Sequence, residues 1–230
     1  SKWIAISANM FRIGYPYPYR EPKMRVIDKE AAYTNALSIV ATWGGAVLYS
    51  NAFNVAPCVT LDGEPDVYTV DSGWFSGTND YVRMGRITGP VDSPSWSLVP
   101  AGNGFIAVPV ASAPHIGVQK GTAGTYDNGD GRISSPPQCR HGRVYVCYSG
   151  GRELPARNGI VWAEIDPVAS SAPVTAGFIE DASVPMFYSY PSIAVNSQTS
   201  IVIGFSGSSV SNYISSCFTG RHAGDAASTM

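Results

Sequence analysis

Charged residues are scarce in this sequence, at 14% of 230 residues, against roughly a quarter in an average soluble domain. The net charge is -2, and no block of like charges occurs. Phosphate binding needs a concentrated basic face, so a nucleic-acid partner is not expected. There is also no run of about 18 apolar residues, so the sequence predicts no membrane-spanning helix. The chain begins Ser-Lys-Trp without a signal peptide, which predicts a processed or truncated product.

Motifs that mark common catalytic centres are also missing. The sequence contains no G-x-S-x-G and neither of the usual glycine-rich nucleotide loops. Only three histidines occur. His115 and His222 lie in predicted loops, and His141 lies at a predicted hairpin turn. The sequence therefore gives no support to a serine hydrolase triad or to a nucleotide site.

The cysteines Cys58, Cys139, Cys147 and Cys217 show no C-x-x-C or Cys/His spacing, which argues against a zinc site. Buried free thiols are favoured, with at least one disulfide as the alternative. A two-residue turn at His141-Gly142 places Cys139 opposite Val144, on the other face of the hairpin from Cys147. A bridge between Cys139 and Cys147 would therefore require a change of register.

Glycine, proline and tyrosine are plentiful, with 24, 17 and 13 residues, and hydrophobic residues make up 44% of the chain. This composition is enough for a real core and provides many turns but few solvated helix faces. It is typical of a turn-rich β-protein, often an extracellular one.

A repeated pattern organises the chain. Residues 56–73, 135–150 and 190–207 each contain a proline, an apolar strand, a polar turn and a second strand that ends in Ser-Gly. The residue types predict turns at Asp62-Gly63, His141-Gly142 and Asn196-Ser197.

Further strands are predicted after each Ser-Gly. Third strands are expected at 81–89, 159–167 and 212–220, fourth strands at 95–100 and 174–181, and the N-terminal segments 3–11 and 23–31 match a second and a third strand. Residues 28–40 have a modest helical pattern and are interpreted as a connecting turn of helix.

Four strands per unit, about 55 to 80 residues apart, predict an all-β fold built as a β-propeller of four-stranded antiparallel blades. A β-sandwich would not repeat strand by strand, and a parallel β-helix has shorter periods. The approximate blades are 1–50 (incomplete), 51–110, 125–182 and 186–230 (incomplete), forming one domain or part of one. About three and a half blades leave the ring open. We therefore expect another chain or a missing segment to complete it, and a closed four-bladed ring is the less favoured alternative.

The segments IAISANMF, YVRMGRITGPVDSPSW, WAEIDP and YPSIAVNSQTSIVIGFSGSSVSNYISSCFTGR are similar to bacterial secreted β-propeller proteins, many of them uncharacterised and loosely grouped with sialidase-like repeats. The resemblance covers most of the chain and implies the propeller fold and secretion. The sialidase Asp-box pattern S-x-D-x-G-x-T-W is absent, and no matching arginine cluster occurs. The resemblance therefore does not extend to sialidase activity.

The segment TYDNGDGRISS (125–135) has the strongest features of a site. Asp127 and Asp130 are candidate ligands for Ca²⁺, which takes several oxygen ligands from a flexible loop. The alternative is a glycine-rich turn in which Asp130 caps local amides. Arg132 is a candidate for binding an anionic ligand, and an ion pair with Asp130 is the favoured alternative.

Aromatic clusters are candidates for stacking on sugar faces. Tyr15, Tyr17 and Tyr19 lie in YPYPYR, whose prolines hold the segment extended and keep it out of a central strand. Trp74 is a further ligand-binding candidate. Tyr188 and Tyr190 lie next to a strand and are predicted to belong to the core.

Carboxylate pairs are considered because glycoside cleavage uses two acids. Asp66, Asp71, Glu153 and Glu164 lie at predicted strand ends or in loops, and their spacing in the sequence does not fix their separation in space. The sequence favours a secreted binding or scaffold module for a glycan or protein ligand. The alternative is a carbohydrate-active hydrolase or lyase with its site at the propeller mouth.

Overall fold

A computed structural model describes residues 1–16, 18–48, 52–72, 79–169 and 171–230, and it shows an all-β protein. Within these residues the only α-helix is α1 (Lys29–Tyr33), where the predicted turn of helix is confirmed. The Asp28 carboxylate caps α1 by accepting hydrogen bonds from the amides of Glu30 and Ala31. No helix in the described part is long and apolar enough to span a bilayer.

The first antiparallel sheet, unit 1, is formed by three consecutive strands. They are β1 (Trp3–Phe11), β2 (Tyr19–Asp28) and β3 (Ile39–Gly44), and a 3-10 turn follows at Gly45–Leu48. One face of unit 1 buries Trp3, Met24 and Val26 against Val67 and Ile87 of the next sheet. The alternation of apolar and polar residues along β2 fits this one-sided burial.

Unit 2 follows as a second antiparallel sheet. Its strands are β4 (Ala56–Pro57), β6 (Val67–Asp71), β7 (Asn79–Thr88), β8 (Ser95–Leu98) and β9 (Phe105–Ala111), whereas the short strand β5 (Val59–Thr60) follows β4 but pairs with a later sheet. The main order is β4-β6-β7-β8, and β9 also pairs with β7. Asp62 and Gly63 have φ values of 57° and 72°, so the predicted tight turn is confirmed. A small hairpin, β10 (Gly117–Val118) and β11 (Thr125–Tyr126), leads to the next unit.

Unit 3 is a four-stranded meander. It contains β12 (Gln138–Arg140), β13 (Arg143–Glu153), β14 (Ala156–Ile165) and β15 (Thr175–Ile179). His141 and Gly142 form the predicted two-residue turn, with φ values of 50° and 70°. Cys139 lies opposite Val144, as the register argument predicts.

Unit 4 contains β16 (Phe187–Val195), β17 (Ile201–Ser209) and β18 (Asn212–Arg221). The predicted two-residue turn at Asn196-Ser197 is wrong, because a five-residue loop joins Val195 to Ile201. The Asn196 side chain accepts hydrogen bonds from the amides of Gln198 and Ser200 and so organises this longer loop. Pro191 does not begin the strand but lies inside β16, at a bulge.

Short parallel contacts join neighbouring units. Asn158 of β14 pairs with Phe187 of β16, and β12 pairs with β5, so units 3 and 4 together with β5 form one strongly curled eight-stranded sheet. Apolar clusters fill the spaces between units 1 and 2, units 2 and 3, and units 3 and 4. Each fully buried aliphatic side chain in them contributes about 1.5–3 kcal/mol.

The cysteines are divided between two of these clusters. Cys58 and Cys139 belong to the cluster between units 2 and 3, whereas Cys147 and Cys217 contact the cluster between units 3 and 4. All four are free thiols; the prediction of buried free thiols is confirmed for Cys58, Cys139 and Cys147, whereas Cys217 is only partly buried.

Candidate ligand-binding site

A cavity of about 400 Å³ lies between the 127–134 loop and strand β16, and we refer to it as the Tyr190 pocket. The loop, which connects β11 to β12, forms one wall. Asn54, Ser149 and Tyr190 belong to the rest of the lining. The pocket therefore collects side chains from unit 3, unit 4 and the segments that precede units 2 and 3.

Two aspartates shape the loop wall through local hydrogen bonds. The Oδ1 atom of Asp127 accepts a hydrogen bond from the amide of Gly129 at 2.7 Å, and Asp130 does the same for Arg132 at 3.0 Å. Gly129 has φ of 72°, in the left-handed region where glycine carries no steric cost. The Asp-Asn-Gly-Asp-Gly sequence thus folds as two consecutive side-chain-capped turns.

Arg132 forms the ion pair that the sequence favours. Its Nε atom lies 2.7 Å from Oδ1 of Asp130, and its guanidinium carbon lies 5.0 Å from the centre of the Phe53 ring. The Phe53 ring in turn packs edge-on against Tyr19, with 4.9 Å between the ring centres. This chain of contacts fixes the loop against unit 1, and a role of Arg132 in ligand binding stays a prediction.

Tyr190 occupies an unusual backbone position for an aromatic residue. Its φ of 52° coincides with the bulge between Ser189 and Ser192, and its ring is 51% exposed. The amide of Tyr190 donates to Oγ of Ser149 at 3.2 Å, and the phenol donates to the carbonyl of Asp127 at 3.2 Å. The core prediction is therefore wrong for Tyr190, because the bulge interrupts the in-and-out alternation of side chains along β16 and leaves the Tyr190 side chain exposed.

The core prediction is confirmed for the neighbouring Tyr188, whose ring packs on Phe205 with 4.8 Å between centres. Burial, followed by the negative charges of Asp127 and Asp130, raises the pKa of Tyr190. The Tyr190 phenol consequently stays protonated at neutral pH and continues to donate to the loop.

Two buried polar atoms beside the pocket have no hydrogen-bond partner. Oδ1 of Asn128 is one of them, although the Asn128 amide donates to the carbonyl of His115 at 3.0 Å. The Ser189 hydroxyl is the other, on the residue that precedes Tyr190. Both residues are at most 2% exposed. Both atoms are almost inaccessible to solvent, so they are unsatisfied inside the protein and do not contact the open cavity.

The repeated Ser-Gly pairs bring two serines to this region. The Ser72 hydroxyl donates to the carbonyl of Gly131 at 2.7 Å, and Ser149 receives the Tyr190 amide. Both serines are buried. The repeat therefore carries a structural role, because its serines anchor the loop and the bulge that form the pocket.

The aromatic candidates near the N-terminus are divided by the structure. Tyr15 is 92% exposed, and Tyr17 and Trp74 lie outside the described residues. Tyr19 packs against Phe11 and donates its hydroxyl to the carbonyl of Ala52, and burial raises its pKa to about 12. Tyr19 thus supports Phe53 behind the pocket, and neither Tyr15 nor Tyr19 belongs to the pocket lining.

The other carboxylates form separate pairs with basic side chains. The pairs are Asp66 with Arg86, Asp71 with Arg83, Glu153 with His115, and Glu164 with Arg143. In the described ranges, no group of three or more His, Cys, Asp or Glu side chains is arranged to hold a metal ion. Since Asp127 and Asp130 serve local turns, Ca²⁺ binding at these residues stays a prediction.

Sequence reasoning missed Tyr190 and Ser149 as site residues. The available signal was the Tyr-Pro pair at 190–191, because a proline removes a ladder donor and is confined to bulges and edges within a sheet. Asn128 lies inside the loop that the sequence singled out. Its isolated carbonyl follows from the fold around it and leaves no mark in the sequence.

No protein-family model matches the chain, and no curated protein does. Among solved structures, the chain is similar to a protein of unknown function from Dyadobacter fermentans DSM 18053, at 11% identity and a TM-score of 0.44. The alignment covers 97% of this chain and 67% of that chain. The candidate site therefore rests on its own geometry.

Proposed function

We propose that the protein is a secreted binding module that recognises glycans in the Tyr190 pocket. The observation that carries this proposal is the half-exposed Tyr190 ring, which lines the cavity together with the polar side chains of Asp127, Asp130 and Arg132. A sugar offers a flat apolar face to a ring and several hydroxyl groups to polar atoms. The cavity of about 400 Å³ falls within the usual size of small-ligand pockets.

A glycan suits this pocket better than a protein surface does. The lining is concave and mostly polar, with Asp127, Asn128, Asp130 and Arg132 on one wall. Protein interfaces instead concentrate energy in central apolar anchors that fill desolvated pockets. A binding or scaffold role toward a protein is therefore the secondary form of this proposal.

The proposal includes a β-propeller architecture in which units 1 to 4 are blades. Consecutive antiparallel meanders that stack face to face support it. We expect another chain or further segment to complete the ring. Native mass spectrometry tests this point: the expected result is an assembly or a longer parent chain, and a compact monomer of 230 residues with a closed ring would contradict it.

Secretion is supported by the low charge and the abundance of turns in the sequence. Expression of the complete gene in its bacterial host, followed by immunodetection in cell and medium fractions, tests this part. We expect the protein in the medium or on the cell surface. Retention in the cytoplasm would contradict secretion while leaving glycan binding open to its own test.

A glycan array followed by calorimetry on the strongest ligand tests the binding proposal. Tyr190→Ala should lower affinity about tenfold or more, as expected for a central aromatic contact. Tyr33→Ala is the matched control, because Tyr33 is an exposed tyrosine beside α1 and away from the pocket. Absence of binding across the array, or equal effects of the two substitutions, would contradict the proposal.

One observation favours the alternative function of a carbohydrate-active hydrolase or lyase. Asp127 and Asp130 line the same cavity, as the two acids of a glycosidase do. Asp130 is engaged by Arg132, which weakens its case as a proton donor. Product analysis by mass spectrometry of array ligands incubated with the protein decides between the two. Turnover that is lost in both Asp127→Asn and Asp130→Asn would establish the enzyme.

A further inference from the structure

Several hydrogen-bond donors of the Tyr190 pocket are already used inside the protein. The donors of three of its side chains already have acceptors inside the protein: the Tyr190 phenol binds Asp127, the Asn54 amide binds the Ile133 carbonyl at 2.7 Å, and the Asn128 amide binds the His115 carbonyl. Oδ1 of Asn128 has no partner, but it is almost inaccessible to solvent, so a ligand in the open cavity does not reach it.

The two carboxylates of the wall keep acceptor positions open. Each carboxylate has two oxygens with about four acceptor positions. Asp127 uses Oδ1 for one amide, and Asp130 uses Oδ1 for the amide and Nε of Arg132. A ligand that satisfies these carboxylates must therefore donate hydrogen bonds, while Arg132 engages only its Nε and keeps its other N–H groups as donors on the same wall.

The charges of the pocket are also unbalanced. Arg132 neutralises Asp130 through the 2.7 Å contact, whereas no basic side chain among the described residues forms a salt bridge with Asp127. The Tyr190 phenol is neutral, since its pKa is raised. The lining thus carries one net negative charge, located on Asp127.

We propose that the Tyr190 pocket selects glycans whose sugars are neutral or carry an amine, and that Asp127 excludes sugar acids. This inference rests on the proposed glycan-binding function. An ammonium group donates up to three hydrogen bonds and carries the complementary charge, and hydroxyl groups donate without charge. A sugar carboxylate brings a like charge to a lining whose net charge is negative.

The test compares amine-bearing, neutral and acidic glycans on one array at pH 7 and low ionic strength. We expect the amine-bearing class to bind most tightly and the acidic class most weakly. The affinity for amine-bearing glycans should exceed that for acidic glycans about fivefold or more, because the interaction energy of two unit charges ~4 Å apart corresponds to this ratio even in bulk water. Raising the salt concentration should reduce the separation.

Asp127→Asn isolates the charge, because asparagine forms the same capped turn without the negative charge. In this variant the affinity for acidic glycans should approach the affinity for neutral glycans. The matched control is Asp166→Asn: Asp166 also caps a local amide, that of Val168, but does not line the pocket. The control should keep the wild-type order of the three classes.

The outcomes separate the two proposals. If acidic glycans bind as tightly as amine-bearing ones, or if Asp127→Asn leaves the order unchanged, the selectivity is wrong and glycan binding stands. If no class binds, the proposed function itself fails, and the selectivity fails with it.

Discussion

Tyr190 donates its phenol hydrogen to the backbone carbonyl of Asp127, 3.2 Å away, and so joins a strand of unit 4 to the loop that precedes unit 3. The two residues are 63 positions apart in the chain. This contact closes one side of the pocket, and the local stability of the loop depends on it.

Tyr190→Phe removes this hydrogen bond and keeps the ring. We expect the free energy of unfolding to fall by about 0.5–1.5 kcal/mol, the usual contribution of one hydrogen bond. Urea denaturation measures the loss, and hydrogen exchange should show faster exchange in the 127–134 loop. Tyr33→Phe, at an exposed tyrosine, should change neither quantity. Unchanged exchange in the loop of Tyr190→Phe would contradict a fastening role for the phenol.

Gly129→Ala tests the contact between the loop and the Tyr190 ring. An added Cβ would lie 3.1 Å from that ring, whereas Gly63 has the same φ of 72° and open space around it. Both substitutions should lower the free energy of unfolding by about 1–2 kcal/mol, because alanine is strained in the left-handed backbone conformation. Gly129→Ala should lower it by ~1 kcal/mol more, because the new methyl group crowds the Tyr190 ring. When both glycine substitutions are made in the Tyr190→Ala variant, their stability losses should become equal. A difference that persists would show that the Tyr190 ring is not its cause.

Asp71→Asn breaks a buried ion pair with Arg83. The two atoms lie 3.0 Å apart, and the side chains are 0% and 7% exposed. Asp71→Asn removes the negative charge that faces the buried Arg83 guanidinium, so we expect a loss of about 3–5 kcal/mol in unfolding free energy. Asp66→Asn, in the more exposed pair with Arg86, should cost about 1 kcal/mol or less. Thermal and urea unfolding measure both, and equal losses would contradict the role of burial.

Stability should decline in alkaline solution. Burial raises the pKa of Tyr68 to about 12 from its ordinary value of 10.0. Between these values the unfolded chain releases the proton while the native state keeps it, so the free energy of unfolding falls as the pH rises. Below pH 10 both states hold the proton and the effect is absent.

Urea unfolding at a series of pH values from 9 to 12 measures this decline. Tyr68→Phe should reduce its slope, because the group that titrates differently in the two states is gone. Tyr33→Phe should leave the slope unchanged, since Tyr33 is largely exposed. A slope that is the same in wild type and Tyr68→Phe would contradict the assignment. Cys58, Cys139 and Tyr145 add to the decline in the same direction, because burial raises the pKa of each.

The strands and tight turns could be predicted from the sequence because their signals are local. Short runs of β-branched and aromatic residues indicate β13 and β17, and the Asp-Gly and His-Gly pairs allow the positive φ values that tight turns need. The Asn196 turn failed for a physical reason. Its side chain binds amides two and four positions ahead, which stabilises a longer loop that the Asn-Ser pair does not reveal.

The pocket could be predicted only in part. The 127–134 loop was visible because aspartate and glycine alternate in it. The orientation of Tyr190 depends on a bulge in β16, and a bulge shifts every later side chain by one position. The unpartnered Asn128 oxygen depends on contacts with His115, which is far along the chain. No spacing of residues in the sequence predicts contacts of this kind.

The apolar clusters between units affect how the gene tolerates deletion and recombination. Excising unit 3 would uncover Met84 and Ile106 on one neighbour and Ile193 and Ile203 on the other. The two remaining parts would then expose apolar surfaces that are buried in the intact protein and that promote aggregation. Loss of unit 1 or unit 4 would uncover one such surface. Whole-unit shuffling should therefore be better tolerated at the outer units than in the middle.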